Sequence, residues 1–325
     1  MNLLGITMGD PAGIGPEIIF RAFEKRDDFR EKSIIFGSYK VLKYYAQLLN
    51  INKKLNVINT INEFDKDMIN IIDVVDLDMN DIKIGEVSAL CGDSAYKYIE
   101  KAIGFAKKGE IKAVVTAPLN KEALHLGGHN FAGHTEIFAK LTDTKKYSMM
   151  LTNGDFRVIH VSTHVSLREA CDRVKKQRVL EVIELANDTL KRMRIVKPRI
   201  AVAGLNPHAG ESGLFGREEI DEIIPAVEEA CKLGINVEGP IAPDTVFLKA
   251  NKGQYDVVVA MYHDQGHIPT KILAFDTGVN ITVGLPIIRT SVDHGTAFDI
   301  AGKGIAKGDS MIEALIAADL FLELS

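Results

Sequence analysis

DVVVAMYHDQGH, residues 256–267, runs an apolar β-branched segment straight into a polar loop that opens on a histidine, His263. The design occurs twice more. RVIHVSTHVSL, 157–167, brings His164 to a loop, and RIAVAGLNPHAGE, 199–211, brings His208. Short apolar runs bounded by turn signals read as strands buried on both faces. In open α/β sheets the loops beyond the carboxyl ends of such strands converge on one crevice, which is where sites are built. The recurrence points to an α/β protein with a histidine-bearing site at those strand ends.

Working outward, strand-like and helix-like pieces alternate along the whole chain. Residues 3–8, 33–36, 57–58, 113–116, 199–203 and 256–261 read as strands. Helical patterns fall at 16–25, with proline in the first turn, and at 93–108, 173–194 and 218–233, with a last helix from about Ser310. The runs 148–152 and 156–162, separated by Asn153, Gly154 and Asp155, form a hairpin signal. Alternation of this kind predicts a mostly parallel sheet flanked by helices, with the hairpin as an antiparallel addition. A chain of 325 residues accommodates about two domains. No linker-like tract separates them, so the expected division is discontinuous: 1–125 with about 270–325 as one domain, about 126–269 as the other.

Composition narrows the function. Hydrophobic residues at 46% and charged residues at 26% describe a globular protein, and a net charge of -5 with no basic stripe argues against nucleic acid. The basic clusters at Lys175, Lys176, Arg178 and at Lys191, Arg192, Arg194 read as a solvated helix face, with Glu181 and Glu184 between them. Cys91, Cys171 and Cys231 are far apart and lack CxxC spacing, which excludes a thiolate zinc site or disulfide framework. No export signal or long apolar span is visible, so the expected location is the cytoplasm, away from membranes.

The glycine-rich GDPAGIGPE, 9–17, fits neither GxGxxG nor the P-loop spacing. It reads first as a tight strand-to-helix turn with glycines at positive φ, and second as a nucleotide loop. Each of His164, His208 and His263 taken alone reads first as a hydrogen-bonded loop residue and second as a ligand. Three at strand ends, without cysteine, make an imidazole set that leaves a coordination position open, as catalytic divalent sites do. His134 in GHTE either joins the site or starts a capped helix, and His160 lies within a strand as a structural residue. Lys271, Asn280 and Arg289 could bind a substrate phosphate, the alternative being surface ion pairs.

These residues sit in motifs that resemble one family nearly end to end: GDPAGIGPE, TAPLNKEA, GHTE, STHVSLREA, GLNPHAGE, GPIAPDT, MYHDQGH, GVNITVGLP and IRTSVDHGTA. The chain is similar to the 4-hydroxythreonine-4-phosphate dehydrogenases. The resemblance implies an isopropylmalate-dehydrogenase-like fold of two domains and a homodimer, with the active site in the interdomain cleft and shared at the dimer interface. It implies metal ligation by His164 and His208 with His263 from the partner subunit, and substrate binding by His134, Thr135, Lys271, Asn280 and Arg289. The carboxyl-terminal DHGTAFDIAGKGIA resembles the cofactor loop of isopropylmalate and isocitrate dehydrogenases. That likeness implicates His294, Gly295, Asp299 and Ile300, and a carboxylate at Asp299 favours the ribose 2′-hydroxyl of NAD over the 2′-phosphate of NADP. Histidine ligands favour zinc, with cobalt, manganese or magnesium as alternatives.

The chemistry implied is metal-assisted oxidation of a C3 hydroxyl by NAD, then loss of CO2. Asp244, Asp264 and Lys121 are the candidate general bases, and Asp244 could instead orient a ligand histidine. His267 after DQG, and AFDTG before Asn280, resemble the branch that acts on 4-phospho-D-threonate or 4-phospho-D-erythronate to give dihydroxyacetone phosphate. The alternative is 4-hydroxythreonine 4-phosphate in pyridoxal phosphate synthesis. A zinc hydrolase is a remoter reading that gives the cofactor loop no purpose.

Overall fold

A computed structural model of the chain describes residues 2–273 and 278–322. Of the AFDTG signature, 274–278, all but Gly278 lies outside the described residues. The chain clusters into two compact units, divided between Thr144 and Lys145 and again between Gly284 and Leu285. In chain order the strands are β1 (Leu4–Thr7), β2 (Ser33–Gly37), β3 (Leu55–Val57), β4 (Ile69–Asp73), β5 (Ala113–Thr116) and β6 (Ser148–Asn153). They continue as β7 (Phe156–His160), β8 (Ile200–Ala203), β9 (Val237–Ile241), β10 (Val257–Ala260), β11 (Val279–Val283) and β12 (Ile288–Val292).

In the first unit the order is β3-β4-β2-β1-β5-β12, parallel throughout. Every residue of β1 and β5 is buried, as expected where helices cover both faces. Thr116 is level with Thr7 on one side and Ser291 on the other, so three strands end at the same height. In the second unit the order is β11-β6-β7-β10-β8-β9. Here β6 is antiparallel to both β7 and β11, and the rest is parallel. This is the expected mixed, mostly parallel α/β architecture with a hairpin addition.

Adjacency of β7, β10 and β8 decides where the histidines go. Ala260 is paired with His160 and Val259 with Val202, so the three strands finish together and release the loops bearing His164, His263 and His208 side by side. Phe156, Val158, Ala201, Ala203, Val258 and Ala260 pack into one core with Val246 and Ala250 of the helix Pro243–Asn251.

The structure departs from the sequence reading in several places. The helix expected over 173–194 runs Lys176–Arg192, and a separate short helix, Leu167–Arg173, precedes it. Val174 (ψ 89°) and Lys175 (ψ 142°) leave the helical region, and Glu222 caps the new start by accepting from Lys176 N at 2.7 Å. Arg178 is not on a solvated face. It donates to the carbonyls of Val161 (3.0 Å) and Tyr147 (2.9 Å) and pairs with Glu181. The helix expected over 218–233 begins as a π-helix, Glu219–Ile223, before Ile224–Lys232 takes over. Pro225 falls in the first turn of the second piece, where its missing N–H and its ring disturb the α ladder of the residues before it. No helix among the described residues is long and apolar enough to cross a membrane.

Candidate active site

In the second unit, His164 and His263 bring their ring centres within 6.0 Å of each other. They line a cavity of about 560 Å³ with Thr163, Ser166, Glu169, Tyr262 and Asp264. Asp264 Oδ1 lies 2.6 Å from His263 Nδ1, so the carboxylate fixes the tautomer that leaves Nε2 as the free lone pair. The His267 ring stacks on the other face of the same imidazole at 3.6 Å and 11°, and its Nδ1 donates to the His263 carbonyl at 3.0 Å. Behind it the His160 ring stands 4.8 Å from His267. Gly266 permits this packing, since a Cβ there would be 2.3 Å from His160 Nε2. Burial, reinforced by the His267 imidazole, pushes the His160 pKa down to about 3, so it is a neutral structural residue.

Gln265 was not singled out in the sequence, yet it ties two of the loops together. Its Oε1 accepts from Met261 N at 2.7 Å and its Nε2 donates to Gly204 O at 2.7 Å, linking the end of β10 to the loop after β8. That second loop has an unusual backbone. His208, Ala209, Gly210, Glu211 and Ser212 all have φ between 43° and 81°, a left-handed turn. For residues with a Cβ this conformation costs roughly 1–2 kcal/mol each, and such cost persists only where the surroundings over-determine it.

Two imidazoles sharing a tetrahedral ion at about 2.0–2.1 Å stand with ring centres roughly 5 Å apart, so His164 and His263 of one chain, at 6.0 Å, stand wider than one shared ion requires. Among the described residues no three His, Cys, Asp or Glu side chains of the chain form a ligand set by themselves. Asp244 is exposed at the start of the helix Pro243–Asn251, and the carboxylate actually seated on a candidate ligand is that of Asp264. Lys271 is in the last turn of the helix His263–Leu273, and Asn280 lies on β11 with its Nδ2 2.8 Å from Met149 Sδ.

The first unit holds the other polar candidates. His134 opens the helix His134–Leu141 with Thr135 next to it, and Arg289 rises from β12 at 2% exposure. The guanidinium donates to Thr116 Oγ1 at 3.0 Å and lies 5.7 Å from the Phe138 ring centre. Burial lowers the Arg289 pKa to about 9, opposed by Glu136. His134 is half-buried as a residue, but its Nε2 is sealed from solvent and accepts or donates nothing. Burial, then the charges of Arg289 and Lys121, hold its pKa well below the usual value, so it is neutral. Lys121 reaches the same corner: a Cβ on Gly133 would be 3.9 Å from Lys121 Cε. A buried guanidinium, a lysine and an unsatisfied imidazole nitrogen together form a setting that a phosphate would complete.

The glycine-rich opening serves as a seat for the carboxyl-terminal loop. Ile14 N donates to Thr296 O at 3.0 Å, and the buried Glu17 accepts from Gly302 N (2.7 Å) and Ala306 N (3.3 Å). Of the glycines in GDPAGIGPE only Gly9 takes positive φ (75°). Gly15 is required for close approach instead, since a Cβ there would be 2.0 Å from Met8 O. On the seated loop Asp299, His294 and Gly295 are exposed, His294 Nδ1 meeting Gly295 O at 3.0 Å, while Ile300 N closes a turn on Ala297 O. An exposed carboxylate on a firmly held loop fits a ribose diol.

The family model described as pyridoxal phosphate biosynthetic protein PdxA matches residues 30–318. The D-threonate 4-phosphate dehydrogenase of Salmonella typhimurium is 51% identical over 311 residues, 95% of each chain. The crystal structure of 4-hydroxythreonine-4-phosphate dehydrogenase from Klebsiella pneumoniae superposes with a TM-score of 0.89 at 47% identity, covering 99% of both chains. A β-decarboxylating dehydrogenase from Thermococcus kodakarensis, at 15% identity and a TM-score of 0.52, shares the fold. The chain belongs to the PdxA family of pyridoxal phosphate biosynthetic proteins.

Proposed function

We propose that this chain is an NAD-dependent, divalent-metal-assisted dehydrogenase that oxidises the C3 hydroxyl of 4-phospho-D-threonate or 4-phospho-D-erythronate and releases CO2 and dihydroxyacetone phosphate. The observation that carries the reading is the end-to-end likeness to a D-threonate 4-phosphate dehydrogenase, joined to a stack in which His267 braces His263. When bound, NAD takes the hydride and the divalent ion supplies Lewis acidity at the reacting oxygen.

The protein's own residues do the rest. Arg289, His134, Thr135, Lys271 and Asn280 bind and orient the phosphorylated substrate, Arg289 from a dry setting in which its charge is felt strongly. Asp264 and His267 hold the His263 ring and its tautomer, so that its Nε2 would be presented across the dimer. His164 and His208 would hold the ion from one chain, and in the homodimer we propose, His263 of the partner subunit completes the set around zinc, or around cobalt, manganese or magnesium. Asp299 and Ile300, with His294 and Gly295, hold the adenosine side of NAD. Of the three candidate bases Asp264 is committed to His263 and Asp244 stands exposed, which leaves Lys121, beside His134, as the group we assign to the hydroxyl proton.

The second reading, 4-hydroxythreonine 4-phosphate oxidation, is favoured by the name of the Klebsiella pneumoniae structure. The two substrates differ at C2, hydroxyl against amine, so one neutral-for-charged contact decides between them. NADH formation by metal-supplemented protein on the three phosphorylated acids, each with a chelator control, separates the readings. Chelator-sensitive turnover of the hydroxy acids with little on the amino acid is the expected result. Preference for the amino acid would install the second reading, and absence of turnover on all three would overturn both.

A further inference from the structure

The left-handed turn that carries His208 is held from below by one buried side chain. Glu219 is 2% exposed, on the first residue of the π-helix. Its Oε1 accepts from Leu205 N at 2.8 Å and from Asn206 N at 2.7 Å, and its Oε2 accepts from Asn206 Nδ2 at 2.9 Å. The Asn206 carbonyl in turn accepts from Ala209 N at 3.1 Å, closing the first step of the turn around His208. Space above the carboxylate is tight: a Cβ on Gly210 would be 2.7 Å from Glu219 Oε2, and one on Gly204 3.2 Å from Oε1.

We propose that Glu219 is a positioning residue for His208, its carboxylate acting as the anchor that forces residues 208–212 into the left-handed conformation and so fixes where the imidazole points. The chemistry is that of charge-assisted hydrogen bonds in a dry site, which tolerate little displacement. Ala209, Glu211 and Ser212, at φ between 43° and 56°, would relax toward negative φ without it, swinging the ring away from the strand ends. The π-helix has a purpose under this view. Its wider turn sets Glu219 against the loop after β8 while the rest of 224–232 continues as an ordinary helix.

The inference rests on His208 being a metal ligand, so the test must separate that reading from the anchor itself. Cobalt(II) is titrated into the full chain and its visible absorption gives affinity and coordination geometry. His208→Ala first establishes the ligand. Glu219→Gln, which keeps one acceptor for the two backbone amides, is expected to weaken cobalt about tenfold, and Glu219→Ala by up to about 100-fold, with a changed band shape. The double variant with His208→Ala should bind no more weakly than His208→Ala alone, because both act through one imidazole. Gly210→Ala crowds the same contact while leaving the Leu205 and Asn206 amides their acceptor, and the same altered spectrum is expected if Glu219→Ala does not fold. NAD affinity, which belongs to the loop carrying Asp299, should be unchanged in every variant. Wild-type cobalt affinity and spectrum in the Glu219 and Gly210 variants would overturn the anchor, as would full additivity with His208→Ala. Equal cobalt binding by wild type and His208→Ala would instead overturn the ligand reading beneath it.

Discussion

Replacing Asp10 by asparagine isolates a charge that the fold holds at a cost. Asp10 is fully buried, its Oδ1 accepts from Ala12 N at 2.9 Å and its Oδ2 meets no donor. Burial raises its pKa from 3.8 to about 6, against the lowering effect of the Ala12 and Asn120 amides. At about 1.4 kcal/mol per pH unit, the ionised form weakens the folded state by about 3 kcal/mol at neutral pH. The sign follows from proton affinity. The folded carboxyl holds its proton more tightly than the unfolded one, so the contribution is fully present below 3.8 and is lost as pH rises through about 6. Asparagine keeps the acceptor for Ala12 and cannot ionise. The stability of Asp10→Asn relative to wild type should therefore rise by about 2.4 kcal/mol between about pH 4 and pH 7.5. Unmatched amide hydrogens shift the whole difference curve but not its slope. Hydrogen exchange of the β1 amides under denaturant is the suitable assay, because it reports the first unit by itself where a chain of two units has no single unfolding free energy. Parallel pH profiles for the two proteins would refute the reasoning.

Three further outcomes are expected. His160, held down to about 3 by burial, contributes stability that is present above 6.5 and is lost as pH falls toward 3, at up to about 1.4 kcal/mol per pH unit. His160→Gln should flatten that acid limb in exchange measurements on β7, and an unchanged limb would show that the imidazole is not kept neutral. Glu17→Gln removes one of the two acceptors for Gly302 and Ala306 and should weaken NAD about tenfold by calorimetry, a loss of about 1.4 kcal/mol; undiminished affinity would separate the seat from the cofactor. Asp264→Asn should lower metal affinity by about 10–100-fold in a chelator competition, and retention of full affinity would mean that His263 needs no orienting carboxylate.

The sequence made the three histidine loops legible because a buried strand writes itself as a β-branched run and its end as an abrupt polar break. Residues 157–160, 200–203 and 257–260 are strands in the structure, and their adjacency follows from the parallel pairing. The hairpin was equally readable, since Asn153, Gly154 and Asp155 supply the turn and Gly154 adopts φ 56°. What failed was the reading of charge. Arg178 sits in a polar stretch with helical spacing that by itself reads as solvent-facing, and Glu219 carries no signal of its own in the sequence; only the tertiary placement shows that one caps strand-end carbonyls and the other collects backbone amides. Neither partner is local in sequence, so no window of a dozen residues contains the signal.

The left-handed turn at 208–212 is the sharper case. Left-handed backbone is usually announced by glycine or asparagine, yet His208, Ala209, Glu211 and Ser212 occupy it here beside a single glycine. Local propensity opposes this conformation, so the information that imposes it must come from elsewhere in the chain. Glu219 lies eleven residues beyond His208 and touches Leu205 and Asn206, just ahead of Pro207 and the turn, which places the cause after the effect in sequence and beneath it in space. A conflict between local preference and observed backbone that is resolved by a buried charge costs stability twice, once in strain and once in desolvation. Such a conflict persists where the conformation itself is used, and here its product is the orientation of one imidazole at the end of β8, next to the strand that delivers His263.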